Sequence, residues 1–495
     1  MLSSAWLAVL SLILAPVYVH LLGIESYGLI GLYTAALAIG GILDVALSAT
    51  VSREIAWILA RPAERPKIGA LLFSVEVIYG FAVFLIALSL LAGVEFFGAA
   101  WVHASTLPHE QIKGALALML LSLMIQLPSG LYTASLIGLH KQARSASILA
   151  GFGTMRGVGA ALIAWGVSDD IRAFFLWHIV VGVLQIIWLR WQTWSYVRTA
   201  GGRARFAIEP LMSIRHAAGA MFLITAMGMV LSQMDKIVLS FLVSLESLGH
   251  YTLAWGLAAG LSILATPVAQ GFGARFSTLA SGGNYLELEK KIDIASQFMY
   301  VLMIPPAVMI SFFAETIMLV WVRDSSIASA SAAPLSLLAL GTALVGCVYP
   351  LLNALYAKKQ FKPVLIIQFV FLLFFFPLLL LLAGAKGIQG AALCWLIYGA
   401  LLFVTYLVLT AIRHGNPGFF AKLLKNLISV TLISVAIGWP IKHFSGQLSS
   451  HVAMLGLAGF ALVGGWLLSA SICPDLQRGL GETVKAVRIS MRNPQ

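Results

Sequence analysis

Apolar residues fill this chain in long uninterrupted runs, parted by short clusters of charge, glycine and polar side chains. A helix that crosses a bilayer needs about 20 such residues. Reading in windows of that length predicts fourteen spans, near 2–22, 28–52, 68–93, 115–139, 145–167, 174–194, 217–243, 251–274, 293–321, 332–356, 363–383, 388–411, 427–441 and 451–471. The expected fold class is therefore an all-α polytopic membrane protein. The first span is too long for a signal-peptide core and lacks a basic lead and a small-residue cleavage site, so it is expected to stay in the membrane. Prolines 16, 128, 267, 305, 306, 350 and 377 fall within spans, where each frees a backbone carbonyl and allows a kink or hinge.

Two short echoes divide the pattern in half. Glu25-Ser26-Tyr27-Gly28 returns as Glu246-Ser247-Leu248-Gly249, and Lys141-Gln142-Ala143-Arg144 as Lys359-Gln360-Phe361-Lys362, at offsets of 221 and 218 residues. An even number of spans separates the members of each pair, so both copies point the same way. Parallel repeats of this kind suggest a substrate path between two halves and alternating access to either side. The expected organisation is an N-lobe over 1–200, a linker over 201–216 with a surface helix near 208–215, a C-lobe over 217–412, and an appendix of two spans and a tail over 413–495.

Composition agrees with the hydropathy. Of 495 residues, 60% are hydrophobic and 10% charged, against about 25% charged in a soluble protein. The net charge of +12 resembles a nucleic-acid footprint until its placement is followed. With the N-terminus inside, most of the 31 Lys/Arg fall in alternate loops and the tail. That is the positive-inside bias, and it predicts cytoplasmic termini and no nucleic-acid partner. Cys347, Cys394 and Cys473 show no paired spacing, so neither a disulfide framework nor a metal site is expected. No phosphate-binding glycine loop is present, and no loop is large enough for a soluble catalytic domain. The chain is expected not to be an enzyme.

Charge inside hydrocarbon costs about 2.5–3.5 kcal/mol on insertion scales, so such residues mark cavities or partners. Arg156 lies near the middle of span 5, about 16 Å deep, among Gly151, Gly153, Gly157 and Gly159, which allow a helix or ligand to come close. Its guanidinium suits an anionic headgroup, because it meets phosphate oxygens in pairs; the alternative is an ion pair within one lobe. Asp44 and Glu76, each about 12 Å from the inner face, are expected to neutralise Arg156 or to carry a coupling proton or cation. In span 7, Asp235 is expected to face the interior and Lys236 to snorkel outward. Arg53 and Arg275 end the repeat-matched helices, as positive-inside anchors or as a basic entrance. Gln126, Gln185, Gln233, Gln270 and Gln368 offer neutral hydrogen-bonding groups suited to sugar hydroxyls or to interhelical contact. His178 reads as an interfacial residue.

Three segments carry a family resemblance: the run from Ala15-Pro16-Val17-Tyr18 to Gly28, Gln233-Met234-Asp235-Lys236-Ile237-Val238-Leu239-Ser240 with Leu248-Gly249-His250-Tyr251, and Gly387-Ile388-Gln389-Gly390-Ala391-Ala392-Leu393. They resemble Wzx-type polysaccharide-biosynthesis flippases of the multidrug/oligosaccharidyl-lipid/polysaccharide exporter superfamily. The resemblance implies two six-helix lobes around a central cavity, plus a C-terminal helix pair. It also implies transport of a polyprenyl-diphosphate-linked oligosaccharide across the bacterial inner membrane, with a polysaccharide polymerase and export machinery as partners. Arg156 would then bind the diphosphate, with Arg53, Arg275, Lys236 and Gln126 along its path. Asp44, Glu76 and Asp235 would pair charge or couple H+ or Na+; no other cofactor is implied. Family members begin with a polar lead that this chain lacks, so the natural start is expected upstream. The rivals are a drug or cation antiporter of the same superfamily, which needs an acidic cavity, and a membrane glycan polymerase or ligase, which needs a larger outer loop.

Overall fold

A computed structural model describes residues 2–101, 104, 107–207, 219–414, 417–445 and 451–473, apart from the side chains of 2, 43–49, 90–101, 109, 219–221, 414, 417, 445 and 451–452. The described residues form helices and no strands. In order these are α1 (Leu2–Leu22), α2 (Ile24–Leu59), α3 (Pro66–Trp101), α4 (His109–Gln126), α5 (Ser129–Gly138), α6 (Gln142–Gly166), α7 (Ile171–Thr199), α8 (Gly219–Leu242), α9 (Leu245–Ser281), α10 (Tyr285–Phe312), α11 (Ala314–Val322), α12 (Ser325–Ala357), α13 (Phe361–His414), α14 (Pro417–Ser445) and α15 (His451–Ile472). Only helices satisfy their own backbone within one apolar segment, so hydrocarbon selects them.

Twelve described helices are long and apolar enough to cross a membrane. One of them, α13, is two helices in series that meet at Gly387, φ 56° and ψ −133°. Counting α13 as two and adding α2, which holds the predicted span 28–52, gives fourteen segments in the order of the predicted spans. The expected helix near 208–215 lies outside the described residues. α3 runs on to Trp101, past the end of the predicted span 68–93. Pro128 parts α4 from α5, whereas Pro16, Pro267, Pro305, Pro306, Pro350 and Pro377 all sit inside helices.

The chain separates into two compact units. The first holds Met1–Thr252 with Gln368–Phe376, and the second Leu253–Ile367 with Pro377–Gln495. In the first unit α6 packs on α1 through its glycines. Leu7 lies over Gly153 and Leu14 over Gly157, and the Tyr18 hydroxyl donates to the Gly157 carbonyl at 2.7 Å. The glycines near Arg156 thus admit a helix. Between α6 and α7, Asp170 caps α7 by accepting from the Arg172 amide at 2.8 Å. Partial burial raises its carboxyl pKa, but the Arg172 hydrogen bonds and charge prevail and hold it below the ordinary range. This cap contributes at neutral pH and is lost as pH falls through that depressed value. In the second unit Met309 and Phe313, near the end of α10, bury against Ala458 and Ala461 of α15.

Both sequence echoes have structural counterparts. His140 and Lys359 adopt φ of 58° and 56° and end α5 and α12 with the same turn. In each, two amides reach back, His140 N to Ile137 O and Lys141 N to Leu136 O in the first, Lys359 N to Tyr356 O and Gln360 N to Leu355 O in the second, as in a Schellman stop. The Glu-Ser-x-Gly echo meets itself. Gly28, four residues into α2, abuts the carbonyl of Leu245, the first residue of α9. Gly249, four residues into α9, abuts the carbonyl of Ile24, the first residue of α2. The contact is reciprocal, and neither site has room for a β-carbon. Gly28→Val should therefore lower the unfolding midpoint in detergent, at a cost of about 1–3 kcal/mol for overpacking. Gly41→Ala, which meets only open space, should leave it unchanged or slightly raised.

Candidate functional site

The first unit holds a polar cluster deep in otherwise apolar helices, with Arg156 at its centre. From α6 the guanidinium donates one Nη to the Gln126 carbonyl oxygen of α4 and the other to the Gln185 carbonyl oxygen of α7. Gln126 sits where α4 stops before Pro128. Its amide nitrogen donates to the Tyr33 hydroxyl and, at 3.2 Å, to the Ser122 hydroxyl, and those two oxygens are 3.0 Å apart. The Arg156 Nε is buried with no hydrogen-bond partner. Among the described residues no carboxylate pairs with Arg156, and two neutral amides orient the cation. A guanidinium so held keeps its donors aligned for an anion.

His178 belongs to this cluster and corrects the interfacial reading. It is buried, stacked on Phe174 at 4.1 Å between ring centres and edge-on to Tyr33 at 5.7 Å. Glu76 stands elsewhere. Its carboxylate accepts from Trp194 Nε1 at 2.7 Å and faces Arg190 at 3.4 Å, so the expected pairing of Glu76 with Arg156 is replaced by one with α7. The Asp44 side chain lies outside the described residues.

No protein-family model and no curated protein sequence matches the chain. Solved structures do. The lipid II flippase MurJ in an inward closed conformation superposes with a TM-score of 0.70 at 16% identity, over 95% of this chain and 97% of that one. An inward-facing multidrug resistance MATE family transporter of the MOP superfamily gives 0.64 at 16%, over 84% and 96%. The MATE multidrug transporter DinF-BH gives 0.59 at 14%, over 84% and 94%. The fold is that of the MurJ and MATE transporters. At such identities the likeness concerns the backbone, and the chemistry of this MurJ-like chain has to come from its own side chains.

Asp235 and Lys236 of α8 form a second buried group. Lys236 is 2% exposed, which overturns the expectation that it snorkels: its Nζ donates to Gln233 Oε1 at 3.1 Å and lies 3.9 Å from the Asp235 carboxylate. Asp235 faces inward as expected and accepts from the Tyr251 hydroxyl of α9 at 2.5 Å. Arg53 is exposed toward the end of α2, and Arg275 faces Glu287 at 3.6 Å across an exposed pair, worth about 0–1 kcal/mol. In the second unit a cavity of about 420 Å³ opens between α9 and α12, lined by Thr266, Gln270, Ser277, Tyr349, Asn353 and Tyr356. These groups are neutral hydrogen-bond donors and acceptors beside aromatic faces. Gln270 was legible as such in the sequence; its tyrosine and asparagine neighbours were not.

Removing one partner of a buried pair strands the other, at about 3–5 kcal/mol. Lys236→Met should therefore lower the thermal unfolding midpoint more than Lys236→Met combined with Asp235→Asn. Equal losses would show that the pair carries no coupling.

Proposed function

We propose that this chain is a flippase that carries a polyprenyl-diphosphate-linked oligosaccharide across the bacterial inner membrane by alternating access. The observation that supports it most is Arg156: a cation in the membrane interior, oriented by neutral amides and matched by no carboxylate among the described residues. A diphosphate cannot cross hydrocarbon unaided, and a fixed guanidinium supplies both charge and paired donors. The neutral, tyrosine-flanked cavity of the second unit has the chemistry that sugar hydroxyls require, and the polyprenyl tail remains in lipid. MurJ, a lipid II flippase of similar fold, supports the class of lipid-linked cargo. On this reading Arg53 and Arg275 attract the headgroup, both termini are cytoplasmic, and a polymerase and export machinery receive the product.

The MATE-like fold keeps a drug or cation antiporter as the second reading. That chemistry needs an acidic group free to bind a cation. Of the three acidic candidates, the two whose side chains are described are matched, Glu76 by Arg190 and Asp235 by Lys236, which favours the flippase. H+ or Na+ coupling, if the cycle uses either, works through Asp44, or through Glu76 or Asp235 by displacing the paired cation.

Arg156→Ala should abolish glycan export in a strain lacking its own flippase while membrane levels of the protein stay normal. Arg156→Lys should restore part of it, because charge survives and the paired donors do not. Undiminished export by Arg156→Ala would remove Arg156 from the site.

A further inference from the structure

A basic cavity of about 800 Å³ lies apart from the Arg156 cluster, at the C-terminal end of α7. Three arginines line it, Arg190 and Arg198 from α7 and Arg203 from the segment that follows, together with Trp191, Trp194 and Thr199. That segment is fixed by backbone contacts. Gly201 turns at φ 89°, the Arg203 backbone rests directly on Gly69 of α3, and the Ala207 amide donates to Ser74 Oγ at 2.8 Å. Arg203 is thereby brought back against the helix that carries Arg198.

The three charges are not equivalent. Arg190 shares the Glu76 carboxylate. Among the described residues neither Arg198 nor Arg203 has an acidic partner. A bland reading makes them positive-inside anchors, with Arg198 also suiting the negative end of the α7 dipole. Arg198 and Arg203 are exposed, as anchors would be. Yet these cations, from two backbone segments, line one concavity with indoles beside them.

The rest of α7 gives that concavity its context. Leu176, Val180, Leu184, Ile187 and Trp191 are each between 46% and 59% exposed, and their spacing of three or four residues places them on one face. The stripe spans about 22 Å at 1.5 Å per residue and ends at the arginines. An apolar track that ends in a basic, tryptophan-flanked pocket has the shape and polarity of a lipid with an anionic head.

We propose that this cavity is a binding site for an anionic phospholipid of the surrounding membrane, its phosphate held by Arg198 and Arg203 and its acyl chain laid along α7. The site is separate from the one assigned to the transported diphosphate and does not depend on that assignment.

Native mass spectrometry of the full chain, taken from nanodiscs of phosphatidylcholine with added phosphatidylglycerol, tests it. The wild type should retain phosphatidylglycerol in preference to phosphatidylcholine, and Arg198→Gln with Arg203→Gln should weaken that retention roughly tenfold or more. Arg198→Lys with Arg203→Lys should keep most of it and shows that the cavity still folds. Arg156→Ala should leave retention unchanged, so failure of the flippase reading stays distinguishable from failure of this one. Retention unaltered by the double glutamine variant overturns the proposal. So does competition by inorganic phosphate as effective as that by phosphatidylglycerol, which would mark a site for a free anion. Displacement of phosphatidylglycerol from the cavity by polyprenyl diphosphate at equal concentration would make it a station for the cargo and equally overturn it.

Discussion

Hydrocarbon offers a charged side chain no water, and the interior of the first unit is arranged around that constraint. Glu76 is met by an arginine and an indole N–H, and Asp235 by a lysine and a tyrosine hydroxyl. Arg156 is met differently, by the carbonyl oxygens of two glutamines. Amides satisfy hydrogen bonds without cancelling charge. Two of the three groups thus meet an opposite charge, while the third meets none among the described residues. The anion selectivity proposed above rests on that difference.

Close packing makes the arrangement possible. The glycines of α6 let α1 approach until leucine side chains fill the gaps, which fixes the rotation of α6 and so the direction in which Arg156 points. At the start of α2 and α9, reciprocal glycines bring two backbones together where no β-carbon fits. Small residues serve this purpose in membranes because packing, rather than water exclusion, holds helices to one another. The same economy of contact explains why a fold shared with MurJ and MATE transporters persists at such low identity. The backbone path requires small residues at crossings and apolar residues elsewhere, and many sequences meet those terms.

Cations at the end of α7 extend the theme to the membrane surface. A positive-inside bias explains why arginines gather there. It does not explain why the backbone after Thr199 folds back on α3 and returns Arg203 to the cavity that Arg198 lines. That return turns a topological signal into a place where an anion fits.

The apolar spans and their helical state were legible in the sequence, because transfer into hydrocarbon is summed residue by residue along the chain and needs no knowledge of neighbours. Arg156 and Gln126 were legible for the same reason, as polar groups out of place. What the sequence left open was pairing. Whether Glu76 meets Arg156 or Arg190, whether Lys236 reaches the interface or stays buried, and that Tyr33, Ser122 and His178 gather about one cation all depend on the rotation of each helix, which turns about 100° per residue, and on which helices touch. Hydropathy carries neither quantity. Only the packed helices decided them.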